Sequence, residues 1–499
     1  MENRFNLIDE PWIAITSHGK ASLKDIFTRT DFQSLGGNPI QKIVTLKLLL
    51  AIAQAAATPE NEGEWKTAGA EGMAQKCLAY LEKWHDRFYL YGDKPFLQMP
   101  AIAPARALSL GAFSPSVATG NATVLTKSHI ERDLSDADKA LTVLMQMNFA
   151  LSGKKTDNSV VLSAGYQGKY NASNKPSSGK AGPSVGHLGF LHSFILTNSI
   201  IESVWLNLFA LEHIESTGLF TQGIGVAPWE NMPEGEDCPT AQDLKNSYMG
   251  RLISLCRFCL LTESGMHYSE GISHKGYKDG IQDLSIAVNR AGKEPRALWS
   301  DPEKRPWREL TSLLSFFDQT SSQGFECWQI KLALDRTADA QEPFSIWSGG
   351  LRVSANAGEQ YVSGSNDIVE SQFWLESGVI DEHWFALLKL EVSELETLSK
   401  NLYGRVLGYF KMFSHDGAKT AAQATSMFWQ LCENDFQSLL VSCDVSDDAN
   451  KARYQLRRKF SEYQHQVYDF FCPKQTARQI DAWAKNKPNN YKYVTQEQS

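Results

Sequence analysis

The sequence predicts an α+β fold, a large mixed N-terminal domain followed by a C-terminal four-helix bundle, and three observations carry the prediction. Helix-capping signals and short strand-like runs alternate over the first 150 residues. From about residue 186 to 375, short apolar runs such as RLISLCRFCLL (251–261) and IWSGGLRVSANAGEQYVSG (346–364) are punctuated by Gly, Pro and Asn, a pattern of mixed structure with several strands. After about residue 380, apolar residues recur at three and four positions, the period of a helix that buries one face.

In chain order, FNLIDEPWIAI sets Leu7, Ile8, Trp12, Ile13 and Ile15 on either side of Pro11, which predicts a strand pair, with a helix start at Ser22-Leu23-Lys24-Asp25. Asn38-Pro39 supplies an N-cap and a first-turn proline for a helix through Ile43, Leu46, Leu50 and Ala53. A second helix ends near Trp84 and leads into a strand-like FYLYGDKPFLQ at 88–98. Ser135-Asp136-Ala137-Asp138 resembles a capping box and opens a helix through Leu141, Leu144, Met145 and Phe149 to Gly153.

The stretch from Ser152 to Pro183 has six Ser, five Gly, three Asn and five Lys against one acid, Asp157. It cannot bury a core. Its glycines permit close backbone approach and anion-binding turns beside Lys154, Lys155 and Lys180, although a surface loop is the simpler reading. In the C-terminal region Trp429, Cys432, Phe436 and Leu439 share one spacing, and Phe460, Tyr463, Val467 and Phe470 another, with Pro473 as a stop. Four helices fit residues 380–490. Residues 451–499 carry ten Lys/Arg against four Asp/Glu; a solvated helix face is the default reading over a phosphate-contacting one.

With 499 residues, 42% of them apolar, the chain has material for about three domains. A net charge of -8 excludes a general coat of DNA-binding charge, so a nucleic-acid contact has to be local. Eight cysteines in this length are no disulfide framework, and no signal-peptide pattern opens the chain, so a cytoplasmic location with reduced thiols is expected. The most apolar run, Leu48 to Ala53, is far short of the roughly 20 residues of a membrane span.

Catalytic signals are sparse. His85-Asp86 and His415-Asp416 have the residue types of a metal hydrolase, but neither pair has a further His or Asp at helical spacing, so a scaffold role is preferred. Cys256-Arg257-Phe258-Cys259 is half a zinc motif without its other half, and its apolar surroundings favour core thiols. No P-loop, GxSxG or HExxH occurs. No catalytic residue, metal or cofactor is expected.

Asn6-Leu7-Ile8-Asp9-Glu10-Pro11-Trp12-Ile13, followed by Ser22-Leu23 and the helix at Asn38-Pro39, resembles the N-terminus of the CasA family, the large subunit of type I-E CRISPR Cascade. Further matches follow in order: PFLQ at 95–98, ATGNATVLTKS at 118–128, APWE at 227–230, SYMGRLISLCR up to Arg257, Asp301-Pro302 with Trp307-Arg308, and the helical C-terminus. The resemblance spans nearly the whole chain. It implies division into 1–378 and 379–499, and a non-catalytic subunit whose partners are crRNA, the other Cascade subunits, double-stranded target DNA and a recruited helicase-nuclease, with no membrane. Such a subunit inspects the protospacer-adjacent motif from the minor groove, where the base code is degenerate, and starts strand separation while guide pairing supplies most specificity.

The resemblance also implies site residues. Ser178, Gly179, Lys180, Ala181 and Gly182 correspond to a glycine loop that reads the motif, and Leu125, Thr126, Lys127, Ser128 and His129 to an anchoring and sensing loop, in which Val124-Leu125 replaces an aromatic residue of some members. Lys275 and Lys278 are alternatives for a minor-groove lysine, and Asn356, Gly358 and Gln360 for a strand-separating wedge, although Gly358 also suits an ordinary hairpin turn. Lys451, Arg453, Arg457 and Arg458 are candidates for DNA-backbone contact. The competing reading is a protein- or carbohydrate-binding module that uses the 13 Trp and 16 Tyr.

Overall fold

The computed structural model describes residues 2–113, 133–149, 157, 159–160, 162–163, 189–318, 324–337, 342–352, 367–490 and 493. The chain forms two compact units: Met1–Pro306 with Gln323–Gln372, and Trp307–Ser322 with Phe373–Ser499.

The first unit is built around the helix Pro39–Ala57. Asn38 caps it by accepting from the Gln41 amide, the Gln41 side chain accepts in turn from the Asn38 amide, and Pro39 fills the first turn, so its start is fixed locally. Its burial is nearly complete around the circumference, from Ile40 and Ile43 through Leu48, Leu49 and Leu50 to Ala53. By length and composition it could cross a membrane, but 78% of its apolar window is buried inside the fold, which marks it as a core helix. The apolar stretch therefore extends well beyond Leu48–Ala53, the run most evident in the sequence. Helices Glu62–Lys83, Asp136–Phe149 and Ile200–Leu206 pack against it.

The strands around Pro11 do not pair with each other. Arg4–Asn6 pairs with Tyr89–Tyr91 and Ile13–Ile15 with Gly19–Ala21, both antiparallel. Two three-stranded sheets complete the unit. One has the order Ile368–Leu375, Phe344–Leu351, His192–Leu196; the other Ala107–Ser109, Gly265–Glu270, Arg257–Leu261. In the first sheet Trp347 lies opposite Phe194, and the central strand Phe344–Leu351 is buried at every residue. A short hairpin joins Val288–Asn289 to Arg296–Ala297.

Among the described residues the second unit has the short helix Leu310–Leu313 and four C-terminal helices, Glu382–Lys411, Ala418–Val441, Asp447–Phe471 and Ala477–Asn486. Side chains of Asp381, Ser446 and Thr476 cap three of them. Trp384, Leu395, Leu402, Phe428, Cys432, Phe436, Phe460 and Val467 fill the core. Phe470 departs from its sequence reading and is 70% exposed. The buried seam runs through Phe460, Gln464, Val467, Tyr468 and Cys472, which rotates Phe470 out. The unit also starts before residue 379 and recruits an earlier segment: Trp307 is buried against Phe436 and Trp429, at 4.4 and 5.6 Å between ring centroids, and Arg308 lies over Trp429.

Candidate nucleic-acid interface

The glycine loop Ser178–Gly182, the loop Leu125–His129 and the wedge candidates Asn356, Gly358 and Gln360 lie outside the described residues. Lys275 and Lys278 are described. Both sit on the turn after the strand Gly265–Glu270, and that turn is fixed from beneath by a buried polar network.

The network starts at Lys47 on the core helix. Its Nζ donates to Asp283 Oδ2 at 2.5 Å and to the Arg251 carbonyl at 3.2 Å. Asp283 Oδ1 accepts from the Ser285 amide and hydroxyl, and the Ser285 hydroxyl meets His192 Nδ1 at 2.9 Å. Arg251, 6% exposed, donates to the carbonyls of Lys245 and Lys275 at 2.9 and 3.1 Å. The chain can turn this tightly because Gly250 has no side chain; a Cβ there would meet the Leu244 carbonyl oxygen at 1.9 Å. Burial lowers the Lys47 and Arg251 pKa values, Arg251 to about 10, while Asp283 opposes the shift. His274 reaches the Ser254 carbonyl, and burial, with the nearby Arg251 charge, pushes its pKa down to about 3, so it is neutral at ordinary pH.

On this base the Gly276 amide donates to Asp279 Oδ2, and Gly280 closes the turn at φ +93°, a conformation that suits glycine. The two lysines differ. Lys275 has its backbone carbonyl held by Arg251, while its side chain is exposed and forms no ion pair among the described residues. Lys278 is exposed too, but its Nζ lies 3.3 Å from Glu294 of the neighbouring hairpin. Beneath the turn is a cavity of about 20 Å³ lined by Arg251, Lys275, Gln282 and Asp283, room for one water-sized group. Arg251 Nε, Gln282 Nε2 and His274 Nδ1 are buried without a partner among the described residues.

The C-terminal cations divide. Lys451 and Arg458 are exposed, Lys451 3.6 Å from Asp448. Arg453 and Arg457 are not available as backbone contacts. Arg453, 1% exposed, donates to the carbonyls of Ser442 and Asp444 just past the helix Ala418–Val441. Arg457, 5% exposed, makes a forked bond to Glu391, with Nε 3.1 Å from each carboxylate oxygen.

The other candidates resolve into structural roles. His85 Nε2 meets Asp9 at 2.7 Å and so ties the start of the chain to the short helix His85–Arg87, and Asp416 accepts from the Ala418 amide at the head of the second bundle helix. Cys256 and Cys259 are buried, and burial raises the Cys256 thiol to about 11. Among the described residues no cluster of three or more His, Cys, Asp or Glu could hold a metal. Sequence reasoning overlooked Trp299, an exposed indole beside the lysine turn. The signal for it was an aromatic residue among the cations of GKEPRALW.

Solved structures share this fold. The chain aligns over 97% of its length with 98% of Thermus thermophilus CasA, at TM-score 0.72 and 17% identity. It aligns over 98% of its length with 97% of Thermobifida fusca Cse1, at TM-score 0.74 and 16% identity. A chain of a CRISPR RNA-guided surveillance complex matches at TM-score 0.67 and 13% identity, covering 97% of this chain and 98% of that one. In sequence, 168 residues are 30% identical to the CRISPR-associated protein CasA/Cse1 of Thermus thermophilus, a stretch that spans 30% of this chain and 32% of that relative. The profile of the CRISPR-associated protein Cse1 family matches residues 6–467, from the first strand to the third bundle helix, and this chain belongs to that family.

Proposed function

We propose that this chain is the large subunit of a crRNA-guided surveillance complex, where it reads the protospacer-adjacent motif in duplex DNA, starts strand separation and helps recruit the helicase-nuclease. Its role is binding rather than catalysis. The observation that carries the reading is Lys275: an exposed cation, unpaired among the described residues, on a turn whose backbone is held by buried Arg251. A rigid base positions the ammonium group, and an exposed stem lets it reach a groove. Fold similarity to a chain of an RNA-guided surveillance complex supports the placement among other subunits and crRNA. The net charge of -8 fits a local DNA contact, with the assembled complex supplying the wider positive field. Ser178–Gly182 is proposed as the glycine loop that reads the motif, Leu125–His129 as the anchor, and Asn356, Gly358 and Gln360 as candidates for the wedge.

The test is target binding by the assembled, crRNA-loaded complex. Lys275→Ala is expected to weaken binding of motif-bearing duplex by about tenfold to a hundredfold, the range for one lost charged hydrogen bond, and Lys278→Ala by less. Asn356→Ala with Gln360→Ala is expected to leave initial binding in place and slow opening, read by a fluorescent base beside the motif. Wild-type binding by Lys275→Ala would remove that lysine from the reading.

A further inference from the structure

We infer that Trp299 is a stacking platform for a base of single-stranded DNA, with Lys293 and Arg296 holding the adjoining phosphates. The indole is 47% exposed, yet it is built in rather than loose. Its face rests on buried Phe190, ring centroids 4.7 Å apart at 31°, and Phe190 is itself edge-on to Tyr277. The backbone on both sides is pinned: the Leu191 amide donates to the Leu298 carbonyl, and the Ser300 amide donates to the Gly189 carbonyl. The ring is thus presented to solvent at little cost in side-chain freedom, the property that makes an aromatic a good stacking surface.

Trp299, Lys278, Lys293, Glu294 and Arg296 line an open groove of about 530 Å³, within the roughly 300–1,000 Å³ of small-ligand sites. Three cations face one acid there. Glu294 pairs with Lys278, while Lys293 and Arg296 are exposed and form no ion pair among the described residues. An aromatic face flanked by unpaired cations is the pattern that binds single strands without sequence preference, since every base has a π-face and every nucleotide a phosphate. A duplex would offer phosphates but keep its bases stacked. The groove's role in holding a strand after opening rests on the proposed function; its ability to bind a single strand does not.

The test uses the full chain and an oligothymidylate of about twelve nucleotides, a length within the usual site size, at low salt. Trp299→Ala is expected to weaken binding about tenfold, and Trp299→Phe to keep most of it, with duplex of the same length unaffected by either. Lys293→Ala and Arg296→Ala should each reduce the salt slope by about 0.7, whereas Trp299→Ala leaves the slope in place. An oligonucleotide carrying 5-iodouracil, irradiated on the chain, should crosslink to Trp299. Absence of single-strand binding by the wild-type chain, wild-type affinity in Trp299→Ala, equal losses on single strand and duplex, or a crosslink mapped elsewhere would each overturn the platform. The assay needs neither motif nor guide, so its failure leaves motif reading standing, and failure of motif reading leaves the platform standing.

Discussion

The turn and hairpin of residues 271–299 and the bundle helix Asp447–Phe471 are both rich in cations, yet they use them in opposite ways. In the first, a buried cation from outside the segment, Arg251 of the helix Met249–Leu252, braces the backbone, and Lys275, Lys293 and Arg296 are left in solvent without ion pairs among the described residues. In the second, two of the most conspicuous basic residues are consumed internally: Arg457 by Glu391, and Arg453 by carbonyls beyond the preceding helix. Local charge excess therefore says little about which cations can meet a phosphate. What decides is whether the fold offers an acceptor close enough to offset desolvation.

The largest effect that separates the two regions is expected at the buried pair. Arg457→Ala leaves the Glu391 carboxylate, 1% exposed, without its forked partner, and should cost about 3–5 kcal/mol of stability in the bundle. Arg458→Ala, one residue on and exposed, should stay within about 0.5 kcal/mol. Denaturant unfolding of the two variants checks this. Similar small losses in both would return Arg457 to the surface and erase the contrast.

The part of this comparison that was legible in the sequence is the part fixed by local chemistry. Asn38-Pro39 and Ser135 announce helix starts because a cap needs only residues within one turn, and the bundle helices show through a 3.6-residue period. The strands around Pro11 were visible as strands but not as partners, since pairing with Tyr89–Tyr91 depends on residues far along the chain. Trp307 gave no local sign that it belongs with Phe436 and Trp429, and Arg453 and Arg457 gave none that they are buried. Trp299 could have been noticed as an aromatic among cations. Its exposure, which makes it of interest, is a tertiary property.

A second difference concerns pH. His274, beside the lysine turn, has its pKa lowered from the usual 6.5 to about 3 by burial, with Arg251 and Lys245 adding to the shift and the Ser254 carbonyl opposing it. Between these values the unfolded chain takes up a proton that the folded chain refuses. Stability should therefore fall as pH falls through that window, at up to about 1.4 kcal/mol per pH unit. His274→Gln, which keeps a donor for Ser254, should flatten this dependence. Urea midpoints followed from about pH 7 to about pH 4 provide the measurement, and equal slopes in both proteins would show that other groups dominate acid unfolding.

The smallest expected effect probes the cation that belongs to neither class. Lys278 and Glu294 are 59% and 74% exposed at 3.3 Å, so breaking the pair by Lys278→Ala should change stability by no more than about 1 kcal/mol. Its consequence for binding is larger than its consequence for folding, because the pair is locally neutral: removing the lysine leaves an acid in the groove, and removing the acid frees a cation. Glu294→Gln should therefore strengthen binding of an oligothymidylate and steepen its salt dependence by up to about 0.7, as one more phosphate comes within reach of a free ammonium group. An unchanged slope would mean that the strand passes Lys278 by, and would confine the phosphate contacts of the groove to Lys293 and Arg296.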